Sequence, residues 1–110
     1  MRIIDTVSYI PVITKRIVNS YNPDKIILFG SHATGTARPD SDLDFLVVLK
    51  EVNLATRRKF MVGMLKLMAD LPIAKDILVY SPEEMEQHKN KKWSVVYSAM
   101  QEGKIVYESK

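Results

Sequence analysis

Three short apolar runs limit what this chain can fold into: Lys25 to Phe29, Phe45 to Leu49 and Ala74 to Tyr80. Each has the length of a strand and is bounded by Gly, Ser, Pro or charged residues, so each reads as a buried strand. Between the second and third lies Leu54 to Leu71, where Phe60, Met61, Met64, Leu65 and Met68 repeat at helical spacing. Methionine fills irregular apolar gaps, so this stripe reads as core. A helix of that length between two strands suits a crossover joining parallel neighbours. The first run reaches the second through a loop, which leaves its direction open from pattern alone.

Helices complete the picture. Ile3, Ile4, Val7, Ile10, Ile13, Ile17 and Val18 form one apolar stripe, which Pro11 obliges either to start near Ile10 or to kink there. Asn22-Pro23-Asp24 ends it. Ser81-Pro82-Glu83-Glu84 has the form of a capping box with proline at the first helical position. A last helix is expected from about Ser94 to Glu102, with Gly103 as a left-handed C-cap and Lys104 to Tyr107 as a short edge strand. The sum is one α/β domain over residues 1–110, a small sheet covered by helices.

With 110 residues, 46% of them apolar and 26% charged, the chain has the composition of a globular protein with a modest core. No apolar run approaches the length needed to cross a bilayer, and no secretory signal is visible, so a cytoplasmic location is the default expectation. Zero cysteines exclude disulfides and thiolate metal sites and leave oxygen ligands for any metal. Net charge is +3, gathered partly in Arg57-Arg58-Lys59 and in Lys89, Lys91 and Lys92. Both clusters read as solvated helix faces or ends, with contact to nucleic acid, nucleotide phosphates or an acidic partner as the alternative. Trp93 and Tyr97 read as residues buried under the last helix, with an exposed interaction patch as the alternative, and Asp70, closing a helix, reads as a solvated carboxylate.

Chemistry concentrates in "ILFGSHATGTARPDSDLDFLVV", Ile27 to Val48. Asp42 and Asp44 stand two apart where an extended strand begins, and alternation sends residues i and i+2 to one face. Carboxylates so placed repel each other unless a cation lies between them. Magnesium suits them, being hard and commonly held by few carboxylates together with substrate phosphates. Gly30 permits a close backbone approach, and Ser31 offers a hydroxyl and an amide at the start of a short helical turn, a ready phosphate rest. Gly35 is a second permissive position. Ser41 caps or orients the turn before the aspartates.

These residues carry a resemblance. "GSHATGTARPDSDLD" fits the Gly-Ser…Ser-Asp-x-Asp signature of the polymerase beta-like nucleotidyltransferase superfamily and looks most like its minimal nucleotidyltransferase (MNT) branch. "PDKIILFGS" and "AMQEGKIVYES" match that branch as well. The resemblance implies a helix-flanked mixed sheet whose first two strands run antiparallel. It also implies a third carboxylate on the strand beside the Asp-x-Asp strand, and Asp76 in "AKDILVY" is the matching position. Bottom-up, Asp76 opens its strand as Asp44 opens the preceding one, and parallel neighbours would bring those starts to the same sheet end.

By that resemblance Asp42, Asp44 and Asp76 are the catalytic and metal-holding residues of a two-metal Mg2+ site, and Gly30, Ser31 and Ser41 contact the nucleotide phosphates. Asp76 could also accept the proton of the attacking hydroxyl. His32 stands where many relatives carry arginine, and Arg38 reads either as a substitute cation or as an exposed loop arginine. Larger relatives have a second domain for the base and acceptor, and nothing follows Lys110 here to build one. The acceptor is therefore expected on a partner or across a homo-oligomer. In the MNT branch the partner is commonly a HEPN toxin, which the minimal protein counters as an antitoxin by attaching AMP from ATP to a tyrosine. Transfer to a small aminoglycoside-type hydroxyl and non-catalytic occlusion of the toxin are the alternatives. A nucleic-acid template groove is not expected, because the basic residues do not interleave with aromatics.

Overall fold

Pro11 decides how the N-terminal helix begins. In the computed structural model, which describes residues 5–38 and 40–110, a 3₁₀ turn Thr6–Tyr9 leads into helix α1, Ile10–Tyr21. Pro11 thus sits in the first helical turn, where its missing N–H breaks no intrahelical bond. Ile3 and Ile4, expected on the same stripe, lie outside the described residues. Asn22 ends the helix with φ 51°, a left-handed conformation that asparagine tolerates.

The remaining elements follow as β1 Lys25–Phe29, α2 Ser31–Thr34, β2 Leu43–Val48, α3 Arg57–Leu67, β3 Lys75–Tyr80, α4 Pro82–His88, α5 Val95–Glu102 and β4 Lys104–Glu108. The sheet has the order β3-β2-β1-β4. Strands β2 and β3 are parallel, as a crossover through α3 requires, while β1 is antiparallel to both β2 and β4. This is a mixed α/β architecture with β4 on one edge.

Alternation along the strands supplies two apolar faces. Ile26, Leu28, Phe45, Val47, Ile77 and Val79 pack with Ile13 and Ile17 of α1 and with Met64 and Met68, so the methionine stripe is core. Ile27, Leu46 and Val48 form the other face, covered by Val96 and Ala99 of α5. Each such side chain taken fully out of water stabilises the fold by about 1.5–3 kcal/mol.

Helix α3 is shorter than its apolar pattern. Asn53 and Thr56 close a turn on each other before it, with Asn53 Oδ1 accepting from Thr56 N at 3.0 Å and Thr56 Oγ1 from Asn53 N at 3.0 Å. After Leu67 the chain tightens into i→i−3 bonds, such as Ala69 N to Lys66 O at 3.2 Å. The capping box at α4 forms as its sequence suggests: Glu84 N donates to Ser81 Oγ at 3.1 Å and Ser81 N to Glu84 Oε1 at 3.0 Å.

Three expectations need correction. Gly103 is extended, with φ −75° and ψ 165°, rather than left-handed. Glycine is needed there because a Cβ would strike the Ala99 carbonyl and Ile27, where α5 turns closely onto β1. Arg57 does not belong to a solvated face: its Nε donates to Val79 O at 3.0 Å, it pairs with Glu84, and it lies 4.9 Å from the centre of the Tyr80 ring. Asp70 is exposed as expected; it also receives both arms of the Arg16 guanidinium, at 2.6 and 3.1 Å, and this pairing holds its carboxyl below the usual range. Trp93 is 76% exposed, because Ser94 rather than Trp93 turns inward at the start of α5. Tyr97 is half-buried. Among the described residues no helix is long and apolar enough to cross a membrane.

Candidate active site

The site begins where β1 stops. Phe29 stands opposite Asp44 in the antiparallel register, and the next residue, Gly30, turns the chain at φ 75°, ψ −156°. A side chain cannot replace its hydrogen: a Cβ on Gly30 would collide with Asp44 Oδ2 and stand 3.3 Å from Asp44 Cγ. Glycine is therefore what lets the Asp44 carboxylate lie against the turn. From Gly30 the chain enters α2, with Ala33 N and Thr34 N bonded to Gly30 O at 3.0 and 3.2 Å. Gly35, at φ 80°, closes it. Ser31 opens this turn, where the first amides have no intrahelical acceptor.

A second set of bonds shapes the loop that returns to β2. Arg38 N donates to Ser41 Oγ at 2.8 Å, and Ser41 N to Arg38 O at 3.0 Å. His32 Nε2 lies 3.1 Å from Ser41 O. A carbonyl oxygen only accepts, so Nε2 carries the hydrogen, and this bond ties α2 to the residue just before Asp42. Strand β2 then starts at Leu43, whose amide donates to Ala74 O at 3.1 Å and sets the parallel register with β3. That register puts Asp44 directly beside Asp76. Neighbours in parallel register point to the same face.

Asp42 and Asp76 are exposed and Asp44 is half-buried. Burial, then the negative charges of Asp76 and Asp42, raise the Asp44 carboxyl above its ordinary value, and His32 acts in the opposite sense. Among the described residues no three Asp, Glu or His side chains converge into a preformed metal cage. Asp44 and Asp76, neighbours in register beside an open turn, are nonetheless hard oxygen donors that suit a divalent cation such as magnesium, whose shell is commonly completed by water and substrate phosphates.

Of the residues singled out in the sequence, Gly30, Asp44 and Asp76 are brought together, and Asp42 lies within electrostatic reach of Asp44. Asp42 precedes β2 rather than belonging to it. Ser31 adjoins Gly30 at the start of α2. The Ser41 hydroxyl is engaged by the Arg38 amide, which gives it a turn-forming role. Arg38 is exposed. The tie from His32 to Ser41 was not legible, since no spacing rule pairs residues nine apart across a loop.

The fold has counterparts among solved structures. A Sulfolobus solfataricus protein with a provisional nucleotidyltransferase designation superposes with TM-score 0.64 at 18% identity, over 94% of this chain and 80% of the other. A toxin–antitoxin protein crystallised with AMP-PNP gives 0.53 at 20% identity, over 90% and 73%. A double Asp-to-Glu mutant of the toxin–antitoxin MntA-HpeT gives 0.58 at 17% identity, over 91% and 73%. At such identities these likenesses establish the fold alone. No relative among curated proteins matches the chain in sequence. The family model for the nucleotidyltransferase domain matches residues 12–106, from the first turn of α1 into β4, and the chain belongs to that family.

Proposed function

We propose that this chain transfers a nucleoside monophosphate, AMP from ATP, to a hydroxyl of a partner protein, and that the partner is a HEPN toxin which it counters as an antitoxin. The observation that carries the catalytic part is the parallel register that sets Asp44 beside Asp76 against the Gly30 turn. The fold shared with toxin–antitoxin proteins, one of them with AMP-PNP, supports the antitoxin part.

In this reading Asp42, Asp44 and Asp76 hold Mg2+, which when bound offsets phosphate charge and lowers the proton affinity of nearby oxygens. The amides at Gly30 and Ser31 receive the β- and γ-phosphates and keep the α-phosphorus in line with the acceptor. Asp76, at the exposed rim, takes the proton of the acceptor hydroxyl. The hydroxyl oxygen then bonds to the α-phosphorus while the bond to the pyrophosphate oxygen breaks, and pyrophosphate leaves. His32 and the Arg38–Ser41 turn keep the Asp42 loop in place through hydrogen bonds.

The test is incubation of the full chain with magnesium, ATP labelled at the α-phosphate and the protein product of the adjacent gene, followed by mass spectrometry of both proteins. AMP on a partner tyrosine is the expected result. A tight complex without modification would replace transfer by occlusion, and label on an added aminoglycoside would move the acceptor to a small molecule.

A further inference from the structure

Trp93 is the chain's only tryptophan, and it is 76% exposed. Leaving so large an apolar side chain in water forgoes the stabilisation that burial would supply. The ring is nevertheless held in place. His88 meets it edge-on at 5.7 Å between ring centres, and Lys91 Nζ lies 5.7 Å from its centre. The backbone beneath is equally fixed, with Lys91 N bonded to His88 O at 3.0 Å and Ser94 N to Lys91 O at 2.8 Å. Ser94 itself is buried and caps α5 through Val96 N. The indole therefore projects from a series of closed turns anchored in the core.

Its surroundings are one-signed. Residues 88–93, His-Lys-Asn-Lys-Lys-Trp, contain three lysines and no carboxylate. Glu86 pairs with Lys89 at 2.5 Å, and among the described residues no carboxylate pairs with Lys91 or Lys92. We infer that Trp93, with Lys91 and Lys92, is a preorganised docking point for an acidic segment of another protein carrying a large apolar side chain. A single rigid aromatic anchor rimmed by charge is the anatomy of a protein-interface hot spot. Single-stranded nucleic acid is the weaker fit, because its platforms use successive aromatics along a basic track, and Lys91 already lies over this one ring.

Two experiments test this, both on the full chain. A display library of random 12-residue peptides is panned against the wild type. The selected peptides are then titrated while Trp93 fluorescence is followed, with a 12-nucleotide oligouridylate as the competing probe. Acidic peptides with at least one large apolar residue should be enriched and should shift the emission to shorter wavelength. Their affinity should fall roughly tenfold or more in Trp93→Ala and in Lys91→Glu/Lys92→Glu. Both changes lie at the surface, so unchanged circular dichroism separates lost binding from lost fold. Enrichment without acidic character, acidic peptides indifferent to these substitutions, or a saturable response to oligouridylate alone would each overturn the inference.

Discussion

Replacing Gly30 by alanine should damage this protein in two separable ways. The backbone there, φ 75° and ψ −156°, lies in a region kept almost wholly for glycine, and forcing another residue into it costs about 1–3 kcal/mol. The added Cβ would also collide with Asp44 Oδ2, so the carboxylate must swing off the turn. In a domain of this size 1 kcal/mol moves the melting temperature by roughly 4–8 °C, which puts the expected loss at roughly 4–24 °C. Gly35 provides the control. Its φ is also positive, 80°, but nothing stands within 4 Å of the position a Cβ would take. Gly35→Ala should therefore show strain of about 1–2 kcal/mol and no displaced carboxylate. Thermal unfolding by circular dichroism measures the first effect, and AMP transfer at a temperature where all three proteins are folded measures the second. Gly30→Ala should lose transfer while Gly35→Ala retains most of it. Wild-type transfer by Gly30→Ala would refute the claim that this turn positions Asp44.

Further expectations follow from named groups. The Asp44 carboxyl is raised, chiefly by burial and then by Asp76 and Asp42. A raised folded value means stability that is full below the ordinary carboxylate range and lost as pH rises through the folded value. Asp44→Asn should therefore melt higher than wild type at pH 7, with the gap closing in acid, even as it loses transfer; a lower melting temperature at pH 7 contradicts this. Glu84 behaves oppositely: burial alone would raise it, but the Arg57 and Ser81 hydrogen bonds prevail and lower it. Its contribution is present above the ordinary range and lost in acid, so Glu84→Gln should destabilise at neutral pH, with the gap to the wild type narrowing as acid protonates Glu84. Ser81→Ala removes the acceptor for Glu84 N and should cost about 1 kcal/mol in urea unfolding. Met64→Ala empties a fully buried position under α3 and should cost about 2–5 kcal/mol.

Local signals were legible in this sequence and remote pairings were not. The strands were visible because uninterrupted Ile, Leu, Val and Phe runs have few alternatives, and the parallel β2–β3 pair followed from a helix-length connection. Leu43 escaped the reading of β2 because Asp44 interrupts the apolar run, although Leu43 is fully buried. The pair Arg16–Asp70 spans 54 positions and Arg57–Glu84 spans 27, and charge patterning within one helix carries no information about either. Gly103 was read as a cap because glycine so often serves there, whereas a close approach of backbone to Ile27 is what demands it. Burial under the last helix is the favoured reading of Trp93 over an exposed patch, but the buried N-cap Ser94 fixes which way the chain faces. Within the site, Asp42, Asp44 and Gly30 could be picked out from residue type and spacing. The bond from His32 to Ser41 depends on how a loop folds back, which no local pattern records.

Manganese can stand in for magnesium and broadens the nuclear resonances of residues close to it. Adding it with a non-hydrolysable ATP analogue to the isotope-labelled chain is the most direct test of a divalent-metal nucleotide site at the sheet end. Broadening should centre on Gly30 to His32, Asp42 to Asp44 and Asp76, and should disappear in Asp44→Asn. Broadening centred instead on Glu83, Glu86 or Glu102, with the Gly30 turn untouched, would contradict the account.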